Sequence, residues 1–173
     1  MGEWDAVVDV SRTPSHVSRA VAAVPDAHWV FVSTINVYAD NSSPAMEPLV
    51  DAITDDIDLA DDPEAYGPMK VACEQTVLDG TTSSMIVRPG LIVGPDDASG
   101  RFSYWPERLA RGGEVLAPGS PDDAVRVIDV RDLAARLLDA AGSADPRRLR
   151  RGRRDHADPR GCSTRWPRAW GRR

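Results

Sequence analysis

Lysine is all but missing from this chain: Lys70 is the only one in 173 residues, and every other basic side chain is arginine or one of three histidines. The two cysteines, Cys73 and Cys162, lie far apart and set out no disulfide framework. His16, His28 and His156 are isolated, and His156 with Cys162 lacks the other ligands of a zinc set, so no metal is expected. No apolar run approaches the ~18 residues of a membrane span. MGEWDAVVDV carries acids where a secretory leader would be basic, so the expected setting is cytoplasmic and reducing, away from membranes. Glycines never recur two or three positions apart; neither G-x-G nor G-x-x-G occurs, and the sequence holds no glycine-rich phosphate turn.

What is present divides in two. Residues 1–141 carry 10 basic and 24 acidic side chains, whereas residues 142–173 carry 11 arginines and three aspartates, which together restore the net charge of -6. The first part alternates strand and helix signals. Trp4 to Val10 and His28 to Ser33 are short apolar runs that fit buried strands. Between them, Thr13-Pro14 marks a helix start and Val17, Val21 and Val24 repeat at helical spacing. Strand, helix, strand over such a length is the unit of a parallel sheet. Residues 39–65 form a polar connection with nine acids and no basic residue, a solvated loop or lid.

A helix then runs from Tyr66 to Gly80, a third strand covers Met85 to Arg88, and the two glycines and two prolines of RPGLIVGP predict an exposed turn. Phe102 to Arg111 reads as a short amphipathic helix ended by Gly112-Gly113. Val115 to Ala117 and Val125 to Ile128 read as strands. Asp129 is placed to cap a last helix with Val130, Leu133, Ala134, Leu137 and Leu138 along one face. The expected fold is α/β: a partial Rossmann-like parallel sheet with flanking helices over residues 1–141, and a disordered Arg-rich tail over 142–173. The tail has no apolar periodicity; it reads as a solvated tail, a nucleic-acid footprint or a frameshifted product of G+C-rich DNA, the last being preferred. Nucleic acid is not the expected partner.

The candidate chemistry centres on Tyr66-Gly67-Pro68-Met69-Lys70. Positions i and i+4 share a helix face, so the ammonium would lie beside the phenol and favour its ionised form. That is a general acid/base pair. Together with VFVSTINVY, VRPGLIVGP, WDAVVDVS and RVIDVRDLA, this passage resembles the NAD-dependent epimerase/dehydratase group of extended short-chain dehydrogenases/reductases, over residues 4–141. The resemblance implies NAD or NADP as cofactor and a small hydroxyl or carbonyl substrate such as a nucleotide sugar. By position it makes Thr34 the substrate-polarising hydroxyl, with Ser33 beside it. Tyr66 becomes the acid/base, and Lys70 its tuner and a nicotinamide-ribose contact. Pro89 and Gly90 would lie against the nicotinamide.

Set against the family, the strands and glycine turn ahead of Trp4 are missing. The sequence therefore reads as the catalytic portion of such an enzyme, truncated, inactive alone and not expected to bind the dinucleotide. Trp4 to Val10 would then be a bare sheet edge, prone to self-association or to pairing with a separate N-terminal fragment. The rival reading is a non-catalytic Rossmann-like module that recruits nucleic acid or a protein through its basic tail.

Overall fold

The computed structural model describes residues 4–40, 48–117, 119–120 and 125–142. The Arg-rich segment from residue 143 onward, with the expectations placed on it, lies outside the described residues. The fold is mixed α/β. Strands β1 (Ala6–Asp9), β2 (His28–Val32) and β3 (Ser83–Val87) form a parallel sheet in the order β1-β2-β3. Helices α1 (Pro14–Ala23) and α2 (Tyr66–Gly80) make the two crossovers. A second parallel pair joins β4 (Leu91–Val93) to β5 (Val127–Asp129), with α3 (Tyr104–Ala110) between them and α4 (Val130–Gly142) after.

The continuous apolar run of β2 is what a strand covered on both faces requires, and all five of its residues are buried. Alternation sends Trp29 and Phe31 to one face. There they pack with Val17 and Val21 of α1, Cys73 and Val77 of α2, and Ile86 of β3. Trp29 Nε1 also donates to the Val24 carbonyl at 2.9 Å, so the indole's one donor is satisfied inside the core. Truncating Trp29 to alanine should cost about 3–5 kcal/mol. Val30 and Val32 point to the other face, where α4 packs on β1 and β2 and buries Leu133 and Ala140. None of the described helices is long and apolar enough to cross a membrane.

Several expectations need correcting. Trp4 to Val10 is not a buried strand: β1 ends the sheet order, and Trp4, Val8 and Val10 are exposed. RPGLIVGP is not simply a turn, because Leu91–Val93 forms β4. The Leu91 amide donates to the Arg126 carbonyl at 2.8 Å, and a Cβ on Gly90 would strike that same carbonyl. Three successive apolar residues thus outweigh the flanking glycines and prolines. Val115 to Ala117 has no regular structure. On α4, Val130 and Leu138 face solvent, since only the side toward Leu133 and Ala140 meets the sheet.

Thr13 makes no side-chain cap on α1; instead Asp56, 41 residues away, accepts the Ser15 amide at 3.0 Å. Around Ile53 to Leu59 the acidic connection therefore lies on the body of the protein. Its Ile53 amide donates to the Pro68 carbonyl at 3.1 Å, and Ile53, Ile57 and Leu59 are half-buried. Gly80 matters for closeness more than for capping: a Cβ there would sit 2.5 Å from Val21 Cγ1 of α1.

Candidate active site

A strand end, a helix start and a post-strand turn meet at one cavity of about 290 Å³. Ser33 and Thr34 follow β2 directly, Tyr66 opens α2, and Pro89 and Gly90 follow β3; all five line the cavity. Parallel α/β sheets bind their ligands beyond the carboxyl ends of the strands, and the cavity lies there. Two backbone bonds fix its floor: the Ser33 amide donates to Val87 O at 2.7 Å, and the Ile35 amide to Pro89 O at 3.1 Å.

Each hydroxyl has a distinct situation. Thr34 is buried and caps a short 3₁₀ turn, Ile35–Val37, its Oγ1 accepting the Asn36 amide at 3.2 Å. As an acceptor in that bond it keeps its own O–H to donate. Ser33 is 3% exposed, and its Oγ is the one fully buried side-chain polar atom among the described residues without a hydrogen-bond partner. Buried hydroxyls are normally satisfied, and leaving one unmade costs about 1–3 kcal/mol. Because it lines the cavity, this hydroxyl can bond a water or any polar group that enters. Tyr66 is half-buried at the first turn of α2. Gly67 holds that turn in place, because a Cβ there would run into the Asn36 carbonyl of the Thr34 turn.

Lys70 is placed differently from the i, i+4 expectation. It does not line the cavity. It is 2% exposed, and its Nζ donates to Ser11 O at 2.7 Å and Val32 O at 2.6 Å, just past β1 and at the end of β2. The Phe31 ring centroid lies 4.6 Å away. Burial pushes its pKa down to about 8 against the opposing pull of Cys73, Asp9 and Glu74. Burial likewise pushes the neighbouring Cys73 thiol up to about 11, although Lys70 pulls it the other way. Lys70 is thus a cation clamped beneath the site, tying two strand ends to the helix that carries Tyr66.

Sequence reasoning missed a second tie one turn further along the same face of α2. Arg88 donates from Nε to Glu74 Oε1 at 2.9 Å and from Nη2 to Glu74 Oε2 at 2.5 Å, a two-pronged ion pair with side chains 14% and 2% exposed. Its Nη1 donates to the Tyr38 hydroxyl at 3.0 Å, and the guanidinium lies 5.1 Å from the Tyr38 ring centroid. Burial works against this charge, but the bonds to Glu74 and Tyr38 outweigh it and hold the Arg88 pKa above its ordinary value. Tyr38 therefore joins α2, the end of β3 and the Thr34 turn. The faint signal was Glu74 itself, an acid directly after the apolar run Val71-Ala72-Cys73. Ile35 and Asn36 from VFVSTINVY, Leu91 and Ile92 from VRPGLIVGP, and Arg101, which belonged to no motif, complete the cavity's lining.

No group of three or more histidine, cysteine, aspartate or glutamate side chains among the described residues could hold a metal ion. Comparison of the sequence with protein-family models and with curated proteins finds no match.

Proposed function

We propose that this chain carries the proton-transfer side of an NAD(P)-dependent oxidoreductase or epimerase site, on a Rossmann-like sheet. It would act on the hydroxyl or carbonyl group of a small substrate, nucleotide sugars included. One observation carries the reading: Thr34, Tyr66 and the unpartnered Ser33 hydroxyl converge on a single cavity at the strand ends. Thr34 donates its O–H to the substrate oxygen and polarises it. Tyr66 hands a proton to that oxygen, or takes one from it, as the carbon is reduced or oxidised. Lys70 acts through the helix: its charge, one turn along from Tyr66, steadies negative charge developing on the phenol.

The residues at the cavity fit the nicotinamide end of the cofactor. Ser33 offers a hydroxyl without a partner, and Pro89 and Gly90 line the same cavity beside it. NAD or NADP would supply the hydride there. Lys70 Nζ gives two of its three N–H donors to Ser11 O and Val32 O, so a ribose contact would fall to the third. No glycine-rich turn for the pyrophosphate occurs in the sequence.

Reduced nicotinamide mononucleotide is therefore the hydride donor of choice for a test, because it needs no pyrophosphate site. With a panel of small aldehydes and ketones, Tyr66→Phe should lower turnover by about 10²–10⁴-fold. Circular dichroism should show the fold unchanged. Equal turnover in the two proteins would remove Tyr66 from the chemistry.

A further inference from the structure

Arg101 is the one charged residue lining the cavity among the described residues. It belongs to a body rich in acids, with 24 acidic against 10 basic side chains over residues 1–141. Nothing in the proton-transfer chemistry needs a cation there. Arg101 is exposed, which puts it on the solvent side of the cavity, and it is held in place. Its backbone amide and Nε donate to Ser99 Oγ at 3.4 and 3.1 Å, and Ser99 Oγ donates in turn to Asp97 Oδ1 at 2.5 Å. Asp97 feels the arginine's charge but forms no ion pair with it among the described residues. Nη1 and Nη2, the end of the guanidinium suited to two-pronged recognition of an anion, have no partner among the described residues.

The cavity's lining grades in exposure: Ser33, with its unsatisfied hydroxyl, and Thr34 are buried, the apolar Leu91 and Ile92 are half-buried, and Arg101 is exposed. At about 290 Å³ it falls at the low end of small-molecule sites, which run from roughly 300 to 1,000 Å³. We propose that Arg101 makes this site select small anionic substrates. These would carry a carboxylate or phosphate at one end and the reacting hydroxyl or carbonyl at the other. The proposal rests on the proton-transfer reading for which end reacts, but the preference for an anion is a property of binding alone.

The test is an amide-shift titration of the full chain by nuclear magnetic resonance with three probes: lactate, glycerol 3-phosphate and 1,2-propanediol, the neutral counterpart of lactate. At low salt, one or both anions should shift the Ser33, Gly90 and Ile92 signals with an affinity about fivefold or more above that of the diol. Whichever anion binds tighter identifies the head group. Arg101→Gln should erase the advantage, Arg101→Lys should keep part of it, and Arg19→Gln, on the exposed side of α1, should leave it whole. High salt should shrink it. Anions binding no better than the diol, or an advantage that survives Arg101→Gln, would overturn the proposal. Tyr66→Phe separates the two readings: if it spares turnover while Arg101→Gln still abolishes anion preference, the proton-transfer assignment fails and this one stands.

Discussion

Raising the pH from about 8 to about 9 should make this protein more stable, and Lys70 is the reason. In the folded state burial brings its pKa to about 8, whereas the ordinary value is 10.5. Between those two the unfolded chain binds more protons than the folded one, so stability rises with pH. The gap corresponds to roughly 3 kcal/mol. The side chain is only 2% exposed, so solvent screens little of it. Cys73 works in the opposite sense. Its thiol is held to about 11 against an ordinary 9.0, so above pH 9 the folded state keeps a proton that the unfolded chain has lost. Stability contributed by the buried thiol is therefore lost as pH climbs from 9 toward 11.

The two slopes combine into a definite shape. Stability should climb by about 1 kcal/mol to pH 9, stay level while lysine and cysteine offset each other, and fall above about 10.5. Urea unfolding followed by far-ultraviolet circular dichroism, at pH values from about 7 to about 11, reads this curve directly. Cys73→Ala should expose the full lysine climb of roughly 3 kcal/mol, and Lys70→Met should leave only the fall. Parallel curves for wild type and Lys70→Met below pH 9 would refute the placement of a cation under the strand ends.

Further outcomes follow from the same geometry. Glu74→Ala should cost about 3–5 kcal/mol, because it strands the Arg88 guanidinium with Tyr38 alone. Glu74→Leu combined with Arg88→Met should cost much less than the sum of the single changes in the same urea assay. Gly67→Ala should lose about 1–3 kcal/mol, since the new methyl must push α2 off the Asn36 carbonyl. It should also weaken binding of nicotinamide mononucleotide, where a distant core change such as Val17→Ala should not. If Lys70 serves Tyr66, turnover should fall above about pH 8 as the ammonium is lost, and Lys70→Arg should move that limb upward.

The centre of the sheet was plain in the sequence because β2 is covered on both faces, and HWVFV can be read as nothing but a buried run. The boundaries of α1 and α2 were equally plain, marked by prolines at their first turns. Where the reading failed, distant backbone decided. Leu91–Val93 became a strand only because Val127–Asp129 arrive beside it, in register, from 36 residues away. Lysine spacing correctly placed Lys70 one turn from Tyr66. Spacing cannot say that the carbonyls of Ser11 and Val32 meet beneath that turn and draw the ammonium inward. Glu74 and Arg88, 14 residues apart on a helix and past a strand end, are a pairing no local motif displays. The candidate hydroxyls Ser33 and Thr34 were legible because a parallel strand's end is where such sheets bind ligands.

Nicotinamide mononucleotide titrated into the isotope-labelled full chain puts the central assignment to the most direct test. At about 10 mM, even weak binding fills a site. Saturating shifts should concentrate on Ser33, Thr34, Gly90 and Leu91, and should survive Tyr66→Phe, which keeps the ring and loses only the hydroxyl. Shifts centred on α1 or α3, or none at any of these four residues, would contradict a nicotinamide site at the ends of β2 and β3.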